Sequence, residues 1–409
     1  MLWENGQMGR PTRNTTRDLR RGNRESLLRA LAYRGPTSRQ KMSDLTGLST
    51  ATVSTLIAGL LAEGVVVEAG ALESDGGRPR ILIEINPGHG HLIGVDVGET
   101  RIRLELFDLR LTGIAKAEYA VVRGEHDPER VAEDILRGVR TLITDAGIDS
   151  SRVLGVGIGV PGVVAEGGVV DAPTYGWARA PLGELLRART PLPLHIDNGA
   201  KTLGLAELQF GAGQGSDHVI VALLGTGVGV AIINDGTLYR GISNSAGEWG
   251  HTIVERDGRR CRCGRRGCLE AYVGAGAILE RYASLAPGAL HQGVDEETAL
   301  AALIADADAG SAPAVQVLAE TADWLAIGLA NLINLFNPER VLLACWAGRL
   351  LGTALLTEIR AATRRRTMAS LYDDATISLG ALGPDAVALG AATLVLESFL
   401  ATASTAPRA

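Results

Sequence analysis

The sequence predicts an α/β protein in which a winged helix-turn-helix precedes a larger body of two similar lobes. Three observations carry this expectation. Residues 23–62 hold three short apolar stripes at helical spacing, broken by glycine and serine, and a hairpin pattern follows them. Residues 92–113 and 218–241 share one layout of strand, glycine turn, strand and turn. Finally, 409 residues with 46% apolar and 21% charged content, and 52 glycines, suit a soluble multidomain chain with many close backbone approaches and exclude disorder as its main theme.

The first helix is expected over residues 23–35 on the stripe Leu27, Leu28, Leu31, and the second over 37–46, capped by Ser38 and broken by Gly47. Ser49 can cap a third helix. Its Val53, Leu56, Ile57, Leu60 and Leu61 fall on one face, which leaves Ser49, Thr50, Ala51, Thr52, Ser54 and Thr55 as small or polar groups at the exposed N-terminal half. Such a surface suits entry into a DNA major groove. Residues 65–67 and 81–85 then form a wing whose turn carries Arg78 and Arg80, placed to meet phosphate or a narrow minor groove. A trihelical protein-interaction domain with an ordinary hairpin is the alternative. Charge favours the polyanion: residues 1–88 carry 12 Lys and Arg against 9 Asp and Glu, a net +3, and the remainder carries −9.

In the body, Asn234-Asp235-Gly236 is a strong hairpin turn. The two glycine turns, Asp96-x-Gly98-x-Thr100 and Gly225-Thr226-Gly227-x-Gly229, would let backbone amides approach phosphate, and their pairing suggests a nucleotide-type cleft between two lobes.

These turns, together with residues 157–163 (GIGVPGV), Asp197-Asn198, the A-G-E-W-G-H run at 246–251 and C-R-C-G-R-R-G-C-L-E at 261–270, resemble the ROK family of repressors, open reading frames and sugar kinases. The resemblance implies an actin-like (ribonuclease H-like) two-lobed sugar kinase fold behind the winged head, which marks the repressor branch. It implies a dimer or tetramer and an effector site built from Gly162, Asn198, Glu248, His251 and Glu270. Domain limits are expected at 17–88 for the head, 89–198 for the first lobe (completed by about 376–401) and 199–375 for the second lobe with its cysteine loop. Residues 1–16 and 402–409 are expected to be flexible tails.

Cys261, Cys263 and Cys268, with His251 ten residues before the first, supply four ligands for tetrahedral zinc. Four protein ligands leave no open position, so the zinc is expected to be structural. Reduced free cysteines on a glycine-rich loop are the alternative. Cys345 reads as a small buried residue in an apolar strand.

Three departures separate the chain from a kinase. Where the family has Asn-Asp-Ala, with the aspartate as general base, residues 197–201 read D-N-G-A-K, so Gly199 replaces the base. The first phosphate turn carries Glu99 and Arg101 in place of a second glycine and a lysine, setting a carboxylate where phosphate would lie. The glycine run expected on the adenosine side after residues 341–343 is replaced by Ala344-Cys345-Trp346, whose indole would crowd a nucleotide. Lys201, one of three lysines in the chain, sits beside the vacated position and is a candidate point charge for an anionic sugar, the alternative being a surface lysine.

The expectation is a cytoplasmic DNA-binding regulator, a repressor of carbohydrate-metabolism genes. It would bind a palindromic double-stranded operator as a homo-oligomer and answer to a sugar or sugar phosphate in a degenerate cleft, with no catalytic residue. Its rivals are an ATP-dependent sugar kinase with a vestigial head and a regulator without a small-molecule effector. The longest apolar stretch reads as residues 324–336, which is short and interrupted by Asn331 and Asn334, so neither secretion nor a membrane partner is expected.

Overall fold

The computed structural model describes residues 15–72, 79–121, 126–290 and 293–404. It divides into two compact units: the chain up to His89 together with the segment from Leu396 onward, and Gly90–Val395.

In the first unit, α1 (Thr16–Arg34) is followed by the short strand β1 (Thr37–Ser38), then α2 (Arg39–Thr46) and α3 (Thr50–Ala62). α1 starts seven residues before the expected position because Thr15 and Asp18 form a reciprocal capping box that no apolar periodicity signals. Gly47, left-handed at φ 69°, ends α2, and α3 departs at 115° to it, within the range of helix-turn-helix pairs. Leu27, Leu28, Leu31, Met42, Val53, Ile57 and Leu60 are buried together with Ile83 and Ile85 of the wing. The wing consists of β2 (Val66–Leu72) and β3 (Arg80–Ile85), antiparallel, with β1 on the other edge of β3. Its turn, with Arg78, lies outside the described residues, as do 1–14 and 405–409 of the expected tails.

The second unit holds two five-stranded sheets with one plan. In the first lobe β4 (His91–Val97), β5 (Arg101–Asp108) and β6 (Gly113–Ala120) form an antiparallel meander. α4 (Pro128–Asp145) then leads to β7 (Val153–Val160), parallel to β4. A small sheet of β8 (Val163–Ala165), β9 (Val169–Ala172) and β10 (Trp177–Ala180), then α5 (Leu182–Arg187), precede β11 (Leu194–Asn198), parallel to β7. After α6 (Gly199–Phe210), the second lobe repeats the pattern with β12 (Val219–Leu224), β13 (Val228–Asn234) and β14 (Thr237–Leu238). There follow α7 (Glu270–Val273), α8 (Ala275–Leu285), α9 (Glu296–Asp308), α10 (Ala312–Phe336), β15 (Arg340–Ala344), α11 (Cys345–Arg364), α12 (Ala369–Asp374), β16 (Thr376–Leu379) and α13 (Ala386–Ala403). β15 is parallel to β12, and β16 to β15. The orders β11-β7-β4-β5-β6 and β14-β13-β12-β15-β16 are the same arrangement read from opposite ends, so the repeated hairpin marks equivalent places in two lobes.

Each sheet buries one face on long amphipathic helices. Val131, Ile135 and Val139 of α4 meet Ile93, Val95, Ile102 and Leu104 in the first lobe. Leu325, Leu329 and Ile333 of α10 join Leu351 and Ile359 of α11 against the second.

α13 changes two expectations. Residues 376–401 do not all complete the first lobe, because Thr376–Leu379 hydrogen-bonds to β15 in the second sheet. The longest apolar segment is also not 324–336: α13 is long and apolar enough to cross a membrane, the one single helix that is so among the described residues. It is 56% buried, as suits a core helix. Glycines let it lie flush on its neighbours, since a Cβ on Gly94 or Gly157 would fall 1.9 or 1.8 Å from Ala388 O or Ala391 O. Residues 396–404 belong to the first unit, where Glu397 accepts from Tyr33 and pairs with Arg29, and Arg24 donates to Ala403 O.

Candidate functional site

The first unit presents the N-terminal half of α3. Ser49 caps it, accepting from Thr52 N at 3.2 Å, and the Ser49 and Thr52 hydroxyls lie 2.9 Å apart. Ser49, Thr50, Ala51, Ser54 and Thr55 are exposed and Thr52 is half-buried. The Thr55 hydroxyl donates back to Ala51 O at 3.0 Å. Arg80 is exposed at the start of β3. The apolar spacing that buries Val53, Leu56, Ile57 and Leu60 is what forces the polar set outward.

In the second unit, β14 is followed by the 3-10 turn Trp249–His251 and a loop that returns through the bridge Ile253↔Cys268. Cys261 N donates to Arg265 O at 2.8 Å and Gly264 N to Cys261 O at 3.0 Å, folding the loop into a knuckle. The ligand atoms of His251, Cys261, Cys263 and Cys268 all lie within 4.8 Å of one another. Cys261 Sγ is 3.7 Å from His251 Nδ1, and Cys263 Sγ is 3.7 Å from Cys268 Sγ. Metal–sulfur bonds of about 2.3 Å in a tetrahedron require sulfur–sulfur separations of about 3.8 Å, so the four residues fit a tetrahedral ion. Nδ1 faces the thiols, which leaves Nε2 as the N–H donor, 4.0 Å from Glu248 Oε2.

Between the lobes of this unit lies a cavity of about 570 Å³. Its walls include the turn around Glu99, Pro161-Gly162-Val163, Asp171, Asn198-Gly199-Ala200, Gly225-Thr226-Gly227, Glu248, His251, Glu270 and Trp346. Gly162, Asn198, Glu248, His251 and Glu270 all line this cavity. Asn198 caps α6: its Oδ1 accepts from Ala200 N at 2.8 Å and Lys201 N at 3.3 Å, and its Nδ2 donates to Gly162 O at 2.7 Å, leaving one N–H for a ligand. Glu270 accepts from Val228 N at 3.0 Å. Burial raises the Glu248 carboxyl above its ordinary range, against the opposing pull of His251 and Lys201.

Lys201 is not among the cavity walls. It is 2% exposed, and its Nζ donates to the Asn244 carbonyl and, at 3.3 Å, to Asn244 Oδ1. As the third residue of α6 it points into a network in which Arg240 binds Asp197 and Asn244, so it is neither a surface lysine nor a charge facing an anionic ligand. Burial lowers its pKa, with Asp197 opposing.

The nucleotide side differs in detail from the sequence expectation. The Glu99 carboxylate is not bare: Arg262 Nη1 donates to both its oxygens, at 3.0 and 2.8 Å. Burial raises its pKa, and Arg262 holds that rise back. Trp346 stands over the second glycine turn, its Nε1 3.1 Å from where a Cβ on Gly225 would sit. Cys345 begins α11, not a strand, lines the cavity and has φ 66°, a conformation in which glycine is at ease. A Cβ on Gly199 would meet only Val160 O at 3.6 Å and Val387 Cγ1 at 3.8 Å, so no crowding demands glycine there. Arg262 carries no signal in the sequence, where Asp96 marks only the start of the first glycine turn. Asp96 lines the cavity, and burial pushes its carboxyl up to about 7 against Arg103 at 4.0 Å, with Asp385 adding to the rise.

Two matching five-stranded lobes around a polar cleft define an actin-like body of the sugar kinase type, carried behind a winged helix-turn-helix. Residues 92–398 match the sequence model of the ROK family. The xylose repressor of Caldicellulosiruptor bescii is 33% identical over 371 residues, covering 89% of this chain and 92% of that relative. This chain belongs to the ROK family. Among solved structures, a ROK family transcriptional regulator homologous to the E. coli MLC protein superposes with a TM-score of 0.78 at 23% identity, covering 95% of this chain and 99% of the other, and attests the fold. A ROK family glucokinase from Streptomyces griseus, solved with glucose and AMPPNP, aligns with a TM-score of 0.64 at 31% identity over 75% of this chain and 99% of its own.

Proposed function

We propose that this protein is a sugar-responsive transcriptional repressor of carbohydrate genes that binds DNA through α3 and the wing. The observation that carries this is the division within one cleft: Asn198, Glu248, His251 and Glu270 converge on it, while Trp346, Gly199 and the Glu99–Arg262 pair burden its nucleotide half. A kinase needs both halves and a repressor only the first. The length match to a xylose repressor, head included, supports the same reading. DNA contacts are assigned to Ser49, Thr50, Ala51, Thr52, Ser54, Thr55, Arg78 and Arg80.

The effector is a neutral sugar. Lys201 is sealed behind Asn244, and Glu248 and Glu270 stand on the cavity wall, an arrangement that favours a neutral sugar over a sugar phosphate. The His251 and cysteine cluster holds structural zinc, which fixes the His251 ring so that Nε2–H faces the cleft. Binding as a homo-oligomer to a palindromic operator in the cytoplasm completes the reading. Mobility shift with the promoter regions beside its own gene, with and without D-xylose, D-glucose and N-acetylglucosamine, tests it. A specific shift relieved by one sugar is expected; promoter DNA never retarded under any condition refutes it.

A further inference from the structure

Arg262 occupies an unusual station. It lies between Cys261 and Cys263, two members of the His251 and cysteine cluster. Its guanidinium donates to both Glu99 oxygens in the first lobe and to Thr226 O, at 2.8 Å, in the second, and it lies 3.6 Å from Glu270 Oε1. Glu99 and Thr226 belong to the two glycine turns, which face each other here. The contact is largely shielded, with the Glu99 side chain 8% exposed and that of Arg262 35%. Paired turns of this kind ordinarily hold phosphate between them, the phosphate drawing two lobes together. Here the junction is filled by the protein's own planar, two-pronged cation and its carboxylate partner.

We propose that Glu99 and Arg262 form a clasp that takes over this lobe-bridging role, so that a sugar alone, without nucleotide, completes the closed cleft. The second part rests on the effector reading above. Glu270 links the two: a sugar held by Glu270 and His251 orders the carboxylate beside which Arg262 lies, and Arg262 carries that order to the first lobe. Arg262 and Glu99 are positioning residues, not ligands of the sugar. An incoming triphosphate would have to part Glu99 from Arg262 and then lie beside the released carboxylate.

The test uses the full-length metal-loaded protein and the variants Glu99→Gln, Arg262→Gln, Arg262→Lys and the double Glu99→Gln/Arg262→Gln, with metal content measured for each. Hydrogen exchange of residues 97–103 and 225–230 is followed without ligand, and affinities for D-xylose and D-glucose are measured by calorimetry with and without Mg-AMPPNP. Either single Gln variant is expected to speed exchange in both turns and to weaken sugar binding about tenfold. The double variant should be no worse than the singles, because one interaction is lost only once. Arg262→Lys should recover part of both, and Mg-AMPPNP should leave wild-type sugar affinity unchanged. Unaltered exchange in the single variants, additive losses in the double, or sugar binding tightened by Mg-AMPPNP would overturn the clasp. If neither sugar binds while exchange responds as expected, the bridge is supported and the effector reading falls. If sugars bind equally to all variants, the clasp falls and the effector reading stands.

Discussion

Gly199→Asp supplies the carboxylate that, on the proposed reading, this cleft lacks for phosphoryl transfer. The backbone accepts it, since a Cβ there makes only ordinary contacts at 3.6 and 3.8 Å. Residue 199 is the first of α6, where a carboxylate gains about 0.3–1 kcal/mol from the helix dipole and removal of a glycine gains about 0.5–1 kcal/mol more. Repulsion from Asp171 and Glu248, which line the same cavity, offsets a comparable amount. The net is within about 1 kcal/mol of zero, so the melting temperature should move by no more than about 2 °C. General-base assistance is worth about 10²- to 10⁴-fold, but only for a donor phosphate already in place. With Glu99 bound to Arg262 and Trp346 over Gly225, no donor is placed. A coupled ADP assay on the variant with D-glucose, D-xylose and N-acetylglucosamine at millimolar Mg-ATP should therefore show no sugar-dependent turnover. Sugar-dependent ADP release at least tenfold above the wild-type background would refute the argument that the nucleotide half is closed, and would mean that the wild type is a kinase lacking only its base.

Other outcomes are equally specific. Elemental analysis should find one zinc per chain, and its removal by a strong chelator, or Cys263→Ser, should lower the melting temperature by several degrees; a metal-free protein of unchanged stability would contradict the structural role. Asp96, whose folded pKa of about 7 lies above its unfolded value, holds its proton more tightly when folded, so its contribution to stability is present at low pH and is lost as pH rises toward and through 7. Asp96→Asn should accordingly melt with the wild type near pH 4 and above it at pH 8, while Arg103 keeps Glu118; identical pH profiles for the two proteins would count against the shift. Arg80→Ala should weaken binding to operator and unrelated DNA alike and reduce the salt slope by about 0.9, whereas Ser54→Ala, if Ser54 reads a base, should cost about 1–3 kcal/mol on the operator only.

What the sequence made legible was whatever repeats or spaces itself locally. Helical spacing located α2 and α3 and their caps Ser38 and Ser49, and period-two hairpins located the two lobes. The ligand spacing from His251 to Cys268 anticipated a cluster that closes within 4.8 Å. Long-range polar partners were out of reach. Glu99 looked like a bare carboxylate because its partner Arg262 lies 163 residues away, and Lys201 looked available because Asn244 lies 43 residues on. Cys345 looked like a strand residue because an apolar run gives no sign of a backbone that turns left-handed at its end. Part of the glycine surplus likewise had no local meaning: Gly94 and Gly157 are explained only once α13 lies on them.

The departures from a kinase then acquire a common sense. A cleft that has lost only its base would still bind nucleotide, and its response to sugar would follow the cell's nucleotide level as well. On the proposed reading Gly199 removes chemistry while Glu99 and Trp346 act on occupancy, and Arg262 neutralises a Glu99 carboxylate that burial would otherwise penalise. Glu99 without Arg262 would be a buried charge in an emptied phosphate site; Arg262 without Glu99 would be a cation between two glycine turns, an invitation to phosphate. On the proposed reading, only the pair both keeps nucleotide out and leaves Asn198, Glu248, His251 and Glu270 on the cavity wall. The two positions are therefore expected to behave as one unit: changing either should weaken sugar binding, and a chain with this fold that keeps Arg262 without Glu99 should in addition regain measurable Mg-ATP affinity.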